Sequence, residues 1–243
     1  TLKVSPKEII FTSGGSESNN MALTRTAIAN KRAGNHIIST SIEHASVYNP
    51  LAYLEEQGFQ VTYLPVDHDG HISLEDLENA IREDTILVSI MYVNNEIGAV
   101  EPVEEIAKRI KKKNPAILFH VDAIQAYGKF VIRPKRQGID LLSVSGHKIH
   151  APKGIGFLYV DSRVKIKPLI YGGGQQRGMR SGTENVPGIA GLGEAAREMY
   201  QNHGEKMKQL YELKDYMIKR LDEVEGTTGN SLPGEMSAPQ IVS

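Results

Sequence analysis

The sequence contains no cysteine, which excludes disulfides and thiolate metal sites and agrees with a reducing compartment. It has no excess charge of one sign: 28 basic and 29 acidic side chains leave a net charge of -1, with an isoelectric point near 6.7. Nothing broad attracts a phosphate backbone or anionic lipid, so nucleic acid and membrane are poor partners. No apolar stretch approaches the roughly 18 residues of a membrane-spanning helix, and Thr1-Leu2-Lys3 leads into no signal-peptide core. The expected location is therefore cytoplasmic. Neither Gx4GK[ST] nor GxGxxG occurs, which removes the common nucleotide fingerprints. Internal repeats and low-complexity tracts are absent as well.

What is present is an ordinary globular composition, 40% hydrophobic and 23% charged over 243 residues, enough for one large domain or one and a half. Short apolar runs alternate with amphipathic stretches, the pattern of an α/β fold with a mainly parallel sheet. The runs Glu8 to Thr12, His36 to Ser39, Gln60 to Leu64, Thr85 to Met91, Ile117 to Val121, Ile139 to Val144 and Gly154 to Val160 read as strands. Helices are expected from Met21 to Lys31, from Val47 to Gly58, from Leu74 to Ile81 behind a Ser73 cap, and from Pro102 through Lys111 to Lys113. That lysine run reads as a solvated helix end. Two further amphipathic helices carry Ile189 to Tyr200 and Met207 to Leu221, and Ala238 to Ser243 looks like the beginning of another strand.

Candidate functional residues fall at strand ends. Ser13-Gly14-Gly15-Ser16 joins a strand to a helix, where free N–H groups and a Ser hydroxyl suit a phosphate; such a turn is also often only a turn. His44 follows the second strand, in place either to cap a helix or to serve a cofactor. Asp122 ends an apolar strand and needs a positive partner, either an arginine such as Arg133 or the cationic ring nitrogen of a bound cofactor, with Gln125 one turn further on. Ser145-Gly146-His147-Lys148 lies between two core strands, so a poorly solvated Lys148 is expected, whose neutral amine can attack a carbonyl. Tyr171 to Thr183, rich in glycine and carrying Arg177 and Arg180, suggests an anion-binding or interface loop, with a linker as the plain reading. His120, Asp122, His147 and His150 are all available as ligands, but their spacing does not suit a metal. A phosphate turn, a loop histidine, a strand-end carboxylate and a carbonyl-binding lysine are together the parts pyridoxal phosphate needs.

The segments TSGGSESNN, SIEHAS, NNEIG, HVDAIQ, SGHKIHAPKGIG and GGGQQRGMRSGTEN, in this order, resemble the NifS/IscS-like cysteine desulfurases, within the class V aminotransferase-like enzymes of pyridoxal phosphate fold type I. The resemblance implies a seven-stranded sheet and a homodimer. It implies Lys148 as the residue that carries the cofactor, Asp122 on the ring nitrogen, Gln125 on the ring oxygen, His44 stacked on the ring and Asn95 beside it. Gly15, Ser16, Ser145 and His147 would bind the phosphate, and Thr183 would reach that of the neighbouring subunit. The implied activity removes sulfur from L-cysteine, giving L-alanine and a persulfide for a sulfur acceptor or scaffold protein of iron-sulfur assembly or tRNA thiolation. Other class V chemistries, transamination or selenocysteine lysis, share the scaffold, and so would an inactive fragment.

Three positions depart from the family's usual residues: Ser16 for Thr, Ala151 for Gly and Gln176 for Glu. The family's sulfur-accepting cysteine, its substrate-carboxylate arginine and an Asn-Ala-Ala-Thr segment have no counterpart here. The expectation is a trimmed chain, with a cofactor domain over 1–185 and connecting helices plus the start of a small domain over 186–243.

Overall fold

A computed structural model describes residues 1–243. The apolar runs become seven strands of one sheet: β1 (Ile9–Thr12), β2 (His36–Thr40), β3 (Gln60–Leu64), β4 (Thr85–Met91), β5 (Leu118–Asp122), β6 (Leu141–Ser145) and β7 (Gly156–Val160), in the order β1-β7-β6-β5-β4-β2-β3. Strands β3, β2, β4, β5 and β6 run parallel, while β7 lies antiparallel between β6 and β1. Every residue of β2, β4, β6 and β7 is buried, because helices cover both faces of the sheet; the edge strands β1 and β3 are buried only in part.

Neighbouring strand residues point to opposite faces, and the core divides accordingly. On one face Ile38, Val88, Ile90, Phe119 and Val121 meet α4 (Leu74–Ala80) and α5 (Val103–Lys113) through Leu77, Val103, Ile106 and Ile110. On the other, Ile37, Leu87, Leu141 and Leu158 meet Met21, Leu23 and Ala27, together with Val47, Leu51 and Leu54 of α3 (Ala45–Glu56). The helix that starts at the glycine turn is α1 (Gly15–Asn20), continuing through a π-turn over Met21–Arg25 into α2 (Thr26–Asn30). Its π-turn residues Met21, Ala22 and Leu23 are fully buried, so the widened turn sits against the sheet.

A short α6 (Pro134–Gln137) precedes β6, and α7 (Val186–Tyr200) and α8 (His203–Leu221) follow the sheet. Helix α7 supports the turns around the cleft. Leu192 joins the main core, and a Cβ on Gly191 would meet Pro152 Cγ at 2.8 Å. The Tyr200 hydroxyl donates to Phe130 O at 3.0 Å and accepts from Gly128 N at 3.0 Å.

Two expectations are corrected. Ala238 to Ser243 forms no strand: Ala238 N bonds Gly98 O at 2.8 Å, and Ile241 packs near Gly98, with no neighbouring strand to join. Lys111 is not merely a solvated helix end, because its ammonium donates to Ile117 O at 2.6 Å and pairs with Asp140 at 2.5 Å. In the glycine-rich loop both arginines have partners within the chain. Gln176 and Arg177, both with positive φ, accept from Phe11 N and donate to Ile9 O, covering the free edge of β1. Arg180 pairs with Glu17 of α1 at 2.7 Å.

Candidate active site

The carboxyl ends of β1, β2, β4, β5 and β6 converge on one cleft of ≈ 240 Å³, lined by Gly15, Ser16, His44, Asn95, Asp122, Gln125, Ser145, His147 and Lys148, with Met91, Val93 and Ile124 as apolar wall. This is where open α/β sheets bind ligands. Nine of the ten residues singled out from the sequence thus lie together. The tenth, Thr183, is exposed and does not line the cleft.

The glycine turn is shaped by close approach. Gly14 has φ of +151°, closed to a side chain, and a Cβ on Gly156 would stand 2.5 Å from Val144 O and 2.8 Å from Gly14 Cα. The turn therefore lies directly on the sheet at the β6–β7 pair. No side chain caps the helix at Gly14, which leaves the N–H groups of its first turn without a side-chain acceptor where Gly15 and Ser16 line the cleft. Ser13 N donates to Glu17 Oε2 at 2.9 Å and holds the turn from the opposite side.

His44 is the N-cap of α3: its Nδ1 accepts from Ser46 N at 3.0 Å and lies 2.8 Å from Ser46 Oγ. Asp122 is 4% exposed. Its Oδ1 accepts from Ile124 N at 2.9 Å and its Oδ2 from Asn19 Nδ2 at 2.7 Å. Burial raises its pKa above the usual carboxylate value against these two donors and nearby His44. Arg133 does not meet it; that side chain donates to Thr1 O and Ile132 O. A buried carboxyl with neutral donors and no arginine or lysine of the chain beside it is suited to an incoming cation.

Lys148 sits on the 3₁₀ turn Gly146–Ile149 directly after β6. The expectation of a poorly solvated amine is not met, because Lys148 is exposed at the mouth of the cleft. The desolvated lysine of this region is Lys129, whose ammonium donates to Lys148 O at 2.6 Å and whose pKa falls to about 8 through burial and the charge of Lys148. His147 Nδ1 lies 2.8 Å from Ser145 Oγ, and burial together with Lys148 and Lys153 lowers its pKa. His120, two residues before Asp122, is structural: fully buried, it bridges Ser89 Oγ at 2.8 Å and Ser143 Oγ at 2.9 Å.

Sequence reasoning missed Asn19, Glu43 and Ser46. Asn19 lies one helical turn after Gly15 on the same face, a spacing that marks it as a neighbour of the cleft. Glu43 has its carboxyl buried beneath the site, accepting from Thr40 Oγ1 and Met91 N at 2.9 Å each, and burial raises its pKa to about 8.

A seven-stranded, mostly parallel sheet with a lysine after β6 and a carboxylate ending β5 defines the fold-type-I class of pyridoxal phosphate enzymes. Residues 2–243 match the aminotransferase class-V family, and the chain belongs to it. The chain is 50% identical over 221 residues to a cysteine desulfurase IscS of Clostridium botulinum, which covers 91% of this chain and 55% of that protein. It is 49% identical over 240 residues to a cysteine desulfurase IscS of Methanosarcina thermophila, covering 99% of this chain and 59% of that protein. The chain thus spans between half and two thirds of the length of these relatives. A solved NifS-like protein superposes with a TM-score of 0.94 at 44% identity, over 98% of this chain and 65% of that one.

The residues present fit pyridoxal phosphate. The uncapped helix start with Ser16, Ser145 and His147 offers donors for a phosphate, Asp122 offers a buried carboxyl for a ring cation, and Lys148 offers an accessible primary amine.

Proposed function

We propose that this chain holds pyridoxal phosphate and forms the cofactor-binding part of a cysteine desulfurase. The observation that carries the reading is Asp122, buried without a basic side chain of the chain to neutralise it, in one cleft with Lys148 and the glycine turn. When bound, the cofactor supplies an electron sink that lets bonds at the substrate's α carbon break. First-turn N–H groups at Gly15 and Ser16, with Ser145 and His147, bind the phosphate. Asp122 keeps the ring nitrogen protonated and Gln125 donates to the ring oxygen. His44 covers the ring face with Asn95 beside it. Lys148 Nζ would hold the cofactor by its aldehyde and is the amine placed to accept a proton from the substrate's α carbon, and His44 would assist proton movement.

The substrate proposed is L-cysteine, on the names of the relatives above. Its C–S bond breaks, the sulfur passes to a thiol as a persulfide, and L-alanine is left. The sequence has no cysteine, so the accepting thiol is not among these residues. A homodimer in which Thr183 serves the neighbouring subunit, a sulfur-acceptor protein of iron-sulfur assembly or tRNA thiolation as partner, a cytoplasmic location and a division at 185/186 belong to the same proposal.

The test is product analysis. With pyridoxal phosphate, L-cysteine and a small added thiol, the expected products are alanine and a persulfide in equal amounts. Exchange of the amino group between alanine and pyruvate, without sulfur release, would overturn the desulfurase reading in favour of transamination.

A further inference from the structure

Asn19 stands between two groups that the cofactor reading brings to the ring, Asp122 at its nitrogen and His44 over its face. It is fully buried on α1. Its Nδ2 donates to Asp122 Oδ2 at 2.7 Å and to Ser46 Oγ at 2.9 Å, while Ser46 Oγ lies 2.8 Å from His44 Nδ1. With Asp122 ionised, donor bookkeeping orders the protons of this chain and leaves Asn19 Oδ1 as its one buried atom without a partner. The amide has two hydrogens and gives one to each partner; its orientation is set because the carbonyl oxygen, turned round, would face a carboxylate. Ser46 Oγ, already an acceptor from Asn19, has one hydrogen to give, and His44 Nδ1 is its acceptor. The single lone pair of Nδ1 is shared with Ser46 N at 3.0 Å, whose hydrogen can only be donated. Neutral His44 therefore carries its hydrogen on Nε2.

We propose that Asn19 and Ser46 are positioning residues, a two-link donor chain that couples Asp122 to a His44 whose Nε2–H tautomer is set by the Ser46 backbone N–H. One buried amide then sets the position of the carboxylate and, through a hydroxyl, the orientation of the ring-covering imidazole. The consequence for catalysis rests on the cofactor reading; the chain of hydrogen bonds does not. It predicts a His44 that presents an N–H from Nε2, with Nδ1 withheld from proton exchange by the start of α3.

The test is nitrogen-15 NMR of the full chain without pyridoxal phosphate, with His44 assigned by His44→Gln, comparing wild type, Ser46→Ala and Ser46→Thr. Wild type is expected to show the Nε2–H pattern. Ser46→Ala removes one link and leaves the backbone donor, so the Nε2–H tautomer persists while the Nδ1 resonance moves toward that of a free acceptor. In the same variant one of the two Asn19 side-chain amide hydrogens loses its acceptor, shifts and exchanges faster. Ser46→Thr, which keeps the hydroxyl, is expected to return both signals. A wild-type His44 protonated on Nδ1, or a Ser46→Ala variant in which either the His44 or the Asn19 signal is unmoved, would overturn the proposal. Failure of the chain to bind pyridoxal phosphate would leave these readouts intact and count only against the cofactor reading.

Discussion

Burial raises the Glu43 pKa from 4.5 to about 8, and the carboxyl's second oxygen has no hydrogen-bond partner, so the group is held as the neutral acid near neutral pH. Between those values the folded chain keeps a proton that the unfolded chain has released, so stability falls as pH rises through the window. Glu101, raised by burial to about 7, acts in the same direction. His120 acts in the opposite sense. Burial lowers its pKa from 6.5 to about 3, so the unfolded chain binds the extra proton and stability falls as pH drops below about 6.5. Thermal unfolding is therefore expected to be most resistant in mildly acidic buffer. Glu43→Gln keeps the acceptor for Thr40 and Met91 and removes the titration, so it should raise Tm at about pH 8.5 more than at about pH 5. Parallel pH profiles for the variant and wild type would show that Glu43 does not titrate as described.

At the scale of elements, the glycine turn, β6 and β7 form one unit. A Cβ at position 156 meets backbone on two sides, Val144 O and Gly14 Cα, and neither can retreat as a flexible side chain would. Gly156→Ala is expected to cost about 1–3 kcal/mol in urea unfolding and to weaken pyridoxal phosphate binding, because the turn must lift from the sheet. Unchanged stability and affinity would mean that the turn is not seated by this contact. The strands themselves were legible in the sequence because strands covered on both faces are written as nearly continuous Ile, Val and Leu runs, as in Thr85 to Met91. The last apolar run, Ala238 to Ser243, reads alike but has no strand partner, and pairing is a property of the fold rather than of the segment. The role of the Tyr171 to Thr183 loop was hidden for a related reason. Arginine and glycine suggest anions, yet the positive φ of Gln176 and Arg177 turns those side chains onto the β1 edge.

Across the whole molecule, five strand ends bring residues as distant in sequence as Gly15 and Lys148 to one cleft, and a strand-end position was the signal that identified most of them. Asn19 and Ser46 lay outside that signal because they act from within helices, through hydrogen bonds that only the packing of α1 against α3 creates. The solvation of Lys148 was not legible either. A turn between two core strands suggests burial, but the 3₁₀ turn carries the side chain outward to the cleft mouth. The central claim is that this cleft holds pyridoxal phosphate through Lys148. Its most direct test is the absorption spectrum of the purified chain with added pyridoxal phosphate, beside Lys148→Ala. The account predicts a protein-bound band near the visible edge that withstands dialysis in the wild-type chain and is lost in the variant. A band equally strong in both would move the attachment to another amine, such as Lys129, and no band in either would contradict the cofactor site itself.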